Sequence, residues 1–147
     1  MIVKIKRENT EVDIPNYESQ GASGFDFHAY LDKSVWLEPR DLRVIPTGLS
    51  FEIPSGFEMQ VRTRSGLAAN DGIVVLNSPG TVDSDYRGEV KIILMNLGSH
   101  RFKVSPGDRI AQGVICVVQQ VRFEEEELSI TSRGSSGFGS TGTNNNI

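Results

Sequence analysis

Apolar and polar residues alternate along much of this chain with a period of two, the spacing of a strand that buries one face. Val3 and Ile5 alternate with Lys4 and Lys6, and Leu42 and Val44 with Asp41 and Arg43. Phe57, Met59, Val61 and Thr63 alternate with Glu58, Gln60 and Arg62. Val90 to Met95 and Ile110 to Val118 are more continuously apolar, which predicts strands covered on both faces. Turn markers separate these runs at Glu38-Pro39-Arg40, Pro54-Ser55-Gly56, Asn70-Asp71-Gly72, Ser78-Pro79-Gly80 and Pro106-Gly107-Asp108. Many short strands at this spacing predict an all-β sandwich or barrel. One helix of a turn or two fits around Ser65 to Ala69. No internal repeat divides the chain.

With 147 residues, one domain around one core is expected. The net charge of −4 gives no basic face for nucleic acid. No apolar run is long enough to cross a bilayer, and the segment MIVKIKRENT lacks the apolar stretch of a signal peptide, so a soluble, cytoplasmic protein is expected. The single cysteine, Cys116, has no partner for an internal disulfide and lies in an apolar run, which predicts a small core residue. One Cys and two His argue against a structural zinc site, so a metal would be a hard cation on oxygen ligands, such as Mg²⁺.

Towards the C-terminus the composition changes. Glu124 to Glu127 form an acidic run that reads as a solvated spacer. From Arg133 the chain is rich in glycine, serine and asparagine and buries almost nothing apolar. The expected organisation is a β-domain over 1–132 and an arm over 133–147 that is mobile until something binds it.

Five segments carry groups that could do chemistry. Gly21-Ala22-Ser23-Gly24-Phe25-Asp26 brings a carboxylate into a strand. Arg64-Ser65-Gly66-Leu67-Ala68 opens the short helix with a guanidinium, a hydroxyl and N–H groups, a set that suits phosphate. Asn77 to Glu89 forms a hairpin loop in which Asp83 and Asp85 flank one residue and Tyr86 follows. A carboxylate beside a bound triphosphate can take a proton from attacking water. Gly107-Asp108-Arg109-Ile110-Ala111-Gln112 enters a strand. The arm, Arg133 to Gly142, can wrap an anion with glycine backbone N–H groups and the hydroxyls of Ser140 and Thr141, while Phe138 stacks on a base. Taken singly, each has a plainer reading: a loop entering a strand, a serine N-cap, an Asp-closed turn or a flexible terminus.

Together and in this order, GASGFDFHA (21–29), RTRSGLA (62–68), NSPGTVDSDYRGEV (77–90), GDRIAQ (107–112) and RGSSGFGSTG (133–142) resemble the five motifs of the trimeric dUTPase family. The resemblance implies a jelly-roll-like β-domain assembled as a homotrimer, with three active sites at subunit boundaries and the arm closing over a neighbour's site. It implies hydrolysis of dUTP to dUMP and pyrophosphate with Mg²⁺, which limits uracil incorporation into DNA and supplies dUMP for dTMP synthesis. By similarity, Asp83 activates the water that attacks the α-phosphorus. Arg64, Ser65, Gly66 and Gln112 contact phosphates, and Asp26 holds Mg²⁺ through water. Asn77 and the hairpin backbone at Val82 read the uracil edge, and Tyr86 packs against the sugar and excludes a 2′-hydroxyl. Arg133, Phe138, Gly139, Ser140 and Thr141 close the lid.

Three positions depart from the family pattern: Thr63 for a usual Pro, Asn70 for a common Lys, and Ser136 for a usual Gly. Serine at 136 would weaken lid closure if its backbone needed a positive φ, at on the order of 1 kcal/mol. Two other readings compete. A dCTP deaminase, similar in fold and several motifs, would carry a catalytic Glu where this chain has Ile93, three residues before Asn96. A catalytically silent, nucleotide-sensing trimer would have lost Asp83 or the arm, and this chain keeps both.

Overall fold

The computed structural model describes residues 1–137. It contains β1 (Lys4–Arg7), β2 (Phe25–His28), β3 (Val35–Leu37), β4 (Leu42–Glu52) and β5 (Phe57–Arg62), then the helix α1 (Ser65–Asp71). After the helix come β6 (Ile73–Val75), β7 (Gly80–Val82), β8 (Glu89–Asn96), β9 (Phe102–Val104) and β10 (Arg109–Val117). The strands form two four-stranded sheets, in the orders β1-β4-β8-β6 and β2-β10-β5-β7, and a two-stranded ribbon, β3-β9. The pairings are antiparallel. The all-β architecture with one short helix is the one that the alternation implies.

Inward-facing residues of both large sheets merge into one core. Phe25 and Phe27 of β2 meet Phe51 of β4, with ring centroids 5.4 to 6.3 Å apart, so an aromatic cluster joins the sheets. Strand β4 pairs with β8 on one edge and, from Leu49 to Glu52, with β1 on the other; its register against β8 shifts between Pro46 and Ser50. Gly48 sits in that irregularity at φ +67, and a Cβ there would stand 2.8 Å from Val12 Cγ2. Both facts favour glycine. Helix α1 stops at Gly72, whose left-handed backbone donates its N–H back to Ala68 and Leu67 carbonyls.

Asn96 is a buried polar residue at the end of β8. Its Nδ2 donates to the Leu37 carbonyl at 2.9 Å and the His100 carbonyl at 2.8 Å, and its Oδ1 accepts from Gly98 N at 2.8 Å. One side chain therefore pins the chain that leaves β8 to the end of β3.

Two sequence expectations change. Strand β8 is not covered on both faces within one chain: Val90, Ile92 and Leu94 are buried, whereas Lys91, Ile93 and Met95 lie on a face left partly or fully open. The neighbouring Leu42 and Val44 of β4 are exposed on their strand, while Ile45 enters the core. The apolar run in β8 therefore records a second surface that this chain does not bury by itself. Cys116 is only part-buried, because strand parity places Ile115 against the core and turns Cys116 away from it, 3.7 Å from Arg62 Nη2.

Asn96→Ala removes three hydrogen bonds and leaves the buried Leu37 carbonyl and the part-buried His100 carbonyl without their donor, so it should lower stability by about 2–4 kcal/mol. Urea denaturation checks this, and a loss below about 1 kcal/mol would mean that those carbonyls find other partners.

Candidate active site

Strand β5 carries the site. On one edge it pairs with β7, with Met59 opposite Val82, Gln60 opposite Thr81 and Val61 opposite Gly80. On the other it pairs with β10, with Gln112 opposite Arg62; Gln112 also stands opposite Asp26 of β2. Just past β5, Thr63 N donates to Ser78 Oγ at 3.3 Å, and Thr63 Oγ1 accepts from Val75 N at 2.9 Å. A proline at 63 would supply neither contact, so this departure from the family pattern gives the hairpin a hydrogen-bonded anchor.

Four of the sequence-predicted residues come together around one pocket of about 420 Å³: Asn77, Val82, Asp83 and Tyr86. Val44, Glu89, Lys91 and Ile93 complete much of its lining; Val44 and Lys91 carried no motif signal, and Glu89 and Ile93 were not marked as pocket residues. Tyr86 N donates to the Asp83 carbonyl at 3.1 Å, which makes a tight turn, and Arg87 Nη1 braces it at the Ser84 and Tyr86 carbonyls. Tyr86 is half exposed, and its hydroxyl donates to the Glu89 carbonyl at 3.1 Å. Among the described residues, neither Asp83 nor Asp85 accepts a hydrogen bond through its carboxylate. The turn is closed by backbone and Arg87, and the Asp83 carboxylate is exposed and unoccupied by capping.

A second cluster forms where β2, β10 and the start of α1 meet. The Asp26 carboxylate is buried, with 6 % of the residue exposed. Arg64 Nε donates to Asp26 Oδ1 at 2.9 Å and Nη2 to Oδ2 at 3.4 Å, and Arg109 Nη1 lies 3.5 Å from Oδ2. Arg64 Nη1 also donates to the Arg109 carbonyl at 3.3 Å. Two guanidinium groups around one carboxylate leave a net positive site. Arg109 belongs to the GDRIAQ segment but was not singled out by sequence; pairing of β10 with β2 brings it to Asp26. Arg64 is itself the N-cap of α1, extended and without a side-chain cap bond. Ser65 therefore is not the cap, and its exposed hydroxyl and the unpaired first-turn N–H groups of Ser65 and Gly66 are available to an anion.

These two clusters do not meet within one chain. Continuing the β7–β5 register puts Asp83 beside Glu58, six residues from Arg64, so Asp83 and Arg64 are about 20 Å apart along the strand.

Arg133 is exposed and donates from Nε to the Ser136 carbonyl at 3.0 Å, not to a residue of either cluster. Ser136 does not have a positive φ; among the described non-glycine residues Arg40 alone does. Serine at 136 therefore carries no left-handed penalty in this conformation. Phe138, Gly139, Ser140 and Thr141 lie outside the described residues. Among the described residues no group of three or more His, Cys, Asp or Glu side chains is placed to hold a metal ion, and no helix is long and apolar enough to cross a membrane.

Comparison with known proteins gives one answer at three levels. A family model described as dUTPase matches residues 10–142. A deoxyuridine 5′-triphosphate nucleotidohydrolase of Bdellovibrio bacteriovorus is 56% identical over 144 residues, covering 97% of each chain. One from Helicobacter pylori is 52% identical over 143 residues, again covering 97% of each. The fold is similar to that of the Staphylococcus bacteriophage 80alpha dUTPase with dUpNHpp, with a TM-score of 0.85 and 24% identity over 96% of this chain and 98% of that one. A mutant dUTPase from phage phi11 of S. aureus, described with a structural Mg(II) ion, gives a TM-score of 0.79 at 19% identity over 89% of this chain and all of that one. With the motifs in order, the hairpin pocket built and relatives matched from end to end at more than half identity, the chain belongs to the dUTPase family.

Proposed function

We propose that the hydrolysis of dUTP to dUMP, the reaction of this family, takes place here at sites shared between three copies of the chain, with Asp83 as the base. The observation that carries this is the separation of the two clusters. One triphosphate must touch the base with its α-phosphorus and the Arg64 group with its outer oxygens. A span of about 20 Å along one strand is too long for both contacts to come from one chain. A threefold ring supplies the second copy's Arg64 to the first copy's Asp83 and closes without a free end. The open apolar face of Leu42, Val44, Ile93 and Met95 supports burial against other copies.

In this reading the uracil edge meets Asn77 and the backbone at Val82, and Tyr86 packs on the deoxyribose where a 2′-hydroxyl would collide. Asp83 accepts a proton from water as its oxygen bonds to the α-phosphorus. The bond from that phosphorus to the bridging oxygen breaks, and pyrophosphate leaves. Arg64, Ser65, Gly66 and Gln112 bind the phosphate oxygens whose charge grows in the transition state. Arg133, Phe138, Gly139, Ser140 and Thr141 of a neighbouring copy's arm, residues 133–147, close over the nucleotide and exclude bulk water.

Asp26 would hold Mg²⁺ through water and not directly, because Arg64 already donates to both of its oxygens and Arg109 lies beside them. The remaining lone pairs suit a metal-bound water. When bound, the ion neutralises triphosphate charge. Asp26 itself orients Arg64. A part-buried, unpaired thiol at Cys116 suits the reducing cytoplasm.

The deaminase reading is disfavoured by Ile93, which lines the hairpin pocket where a proton-carrying Glu would be required. The silent-trimer reading is disfavoured by an Asp83 carboxylate left free beside that pocket.

Asp83→Asn should keep dUTP affinity within a few-fold and lower turnover about 10²–10⁴-fold; pyrophosphate release at the wild-type rate would remove Asp83 as the base. A chain cut after Ser132 should melt and sediment like the full-length protein yet retain under about 1% of its activity, since lid contacts contribute to the site and not to the core. Full activity of that truncation would exclude the arm from the site. Asp26→Asn should cost on the order of 10–100-fold in kcat, as loss of an orienting partner does. Raising Mg²⁺ should not restore it; full recovery at high Mg²⁺ would make Asp26 purely a metal residue.

A further inference from the structure

The hairpin holds its two selecting side chains, Asn77 and Tyr86, over glycines. A Cβ built on Gly80 would lie 2.9 Å from Asn77 Nδ2 and 3.5 Å from Asn77 Cγ. On Gly88 it would overlap the Tyr86 hydroxyl and stand 2.5 Å from Cζ and 2.9 Å from Cε2. Neither glycine has a positive φ, so each supplies space and not an unusual backbone. Gly80 is also held in register opposite Val61, and Gly88 precedes β8, so neither backbone can easily retreat. The displaced group in each case is the far end of an exposed side chain that lines the pocket. Adding a methyl group should thus cost the fold little and the side chain's position much.

We propose that Gly80 and Gly88 are separate positioning residues for specificity, Gly80 seating the Asn77 amide for the base and Gly88 seating the Tyr86 ring for the sugar. The inference rests on the assignment of base to Asn77 and sugar to Tyr86 made above, and it adds that the two selections are mechanically independent. The Gly80 contact involves the terminal amide as a whole, so it holds whichever of the two amide atoms faces the glycine. At Gly88 the ring is also tied down by its hydrogen bond to the Glu89 carbonyl. An added methyl forces that bond to break, and the ring swings towards solvent and opens room for a 2′-hydroxyl.

The test measures kcat/KM for dUTP, dCTP and UTP with the full-length wild type, Gly80→Ala and Gly88→Ala. Each glycine change is also made in the background that removes its partner, Asn77→Ala or Tyr86→Ala. Gly80→Ala should lower the dUTP:dCTP ratio about tenfold and leave dUTP:UTP within twofold, and Gly88→Ala should do the reverse. In the truncated backgrounds each added methyl should change its ratio by less than about twofold, because the atoms that it displaces are gone. A uniform fall for all three nucleotides, or a full effect that persists without the partner side chain, overturns the proposal. If Gly88→Ala alone does not fold, recovery of the fold with Tyr86→Ala supports the seat, and failure to recover refutes it. Should Asn77→Ala and Tyr86→Ala by themselves leave both ratios at wild-type values, the base and sugar assignments fail, and the seats fall with them.

Discussion

Strand β5 is the constraint on which the site depends. It is hydrogen-bonded on both edges, to β7 and to β10, so its side chains and the segments beyond its ends are held at fixed spacing. At one end the register delivers the hairpin with Asp83; past the other end the chain turns at Thr63 and presents Arg64 at the start of α1. A strand of this length keeps the Asp83 hairpin apart from the cluster of Asp26, Arg64 and Arg109. The proposed chemistry and the proposed assembly are therefore coupled through one strand's geometry.

Electrostatics at the far end follow from burial. A carboxylate with almost no water around it is costly to leave unpaired, and Asp26 is matched by two guanidinium groups. The pairing holds Arg64 in one orientation while leaving the cluster net positive. The hairpin end works differently. Asp83 is solvated and free of protein hydrogen bonds among the described residues, which leaves its lone pairs for water. Around it the neighbours are rigid: a backbone turn braced by Arg87, and two glycines that let Asn77 and Tyr86 lie close to the chain.

Much of this was legible in residue order. Period-two alternation marked Phe57 to Thr63 as a half-buried strand, and Asn70-Asp71-Gly72 marked the stop of a helix that does end at Gly72. The hairpin residues Asn77, Val82, Asp83 and Tyr86 do gather on one pocket. Other features were not legible. Leu42 and Val44 obey the alternation yet face outward, because a pattern names two faces without saying which one meets the core. Cys116 looked like core from its apolar neighbours, but parity along β10 turned it away. Arg109 and Ile93 joined the two clusters only because strands distant in sequence pair beside them.

The sequence by itself determined the class of fold, the short helix, and the set of chemical groups available, because local periodicity, turn residues and ordered motifs are properties of neighbours along the chain. Only the tertiary structure decided which of those groups meet. It joined Asp26 to Arg64 and Arg109, left Asp83 uncapped, held Thr63 against Ser78, and kept the Arg64 cluster apart from Asp83. Those outcomes depend on register between strands that lie tens of residues apart, and a shift of one residue would turn every side chain concerned to the opposite face.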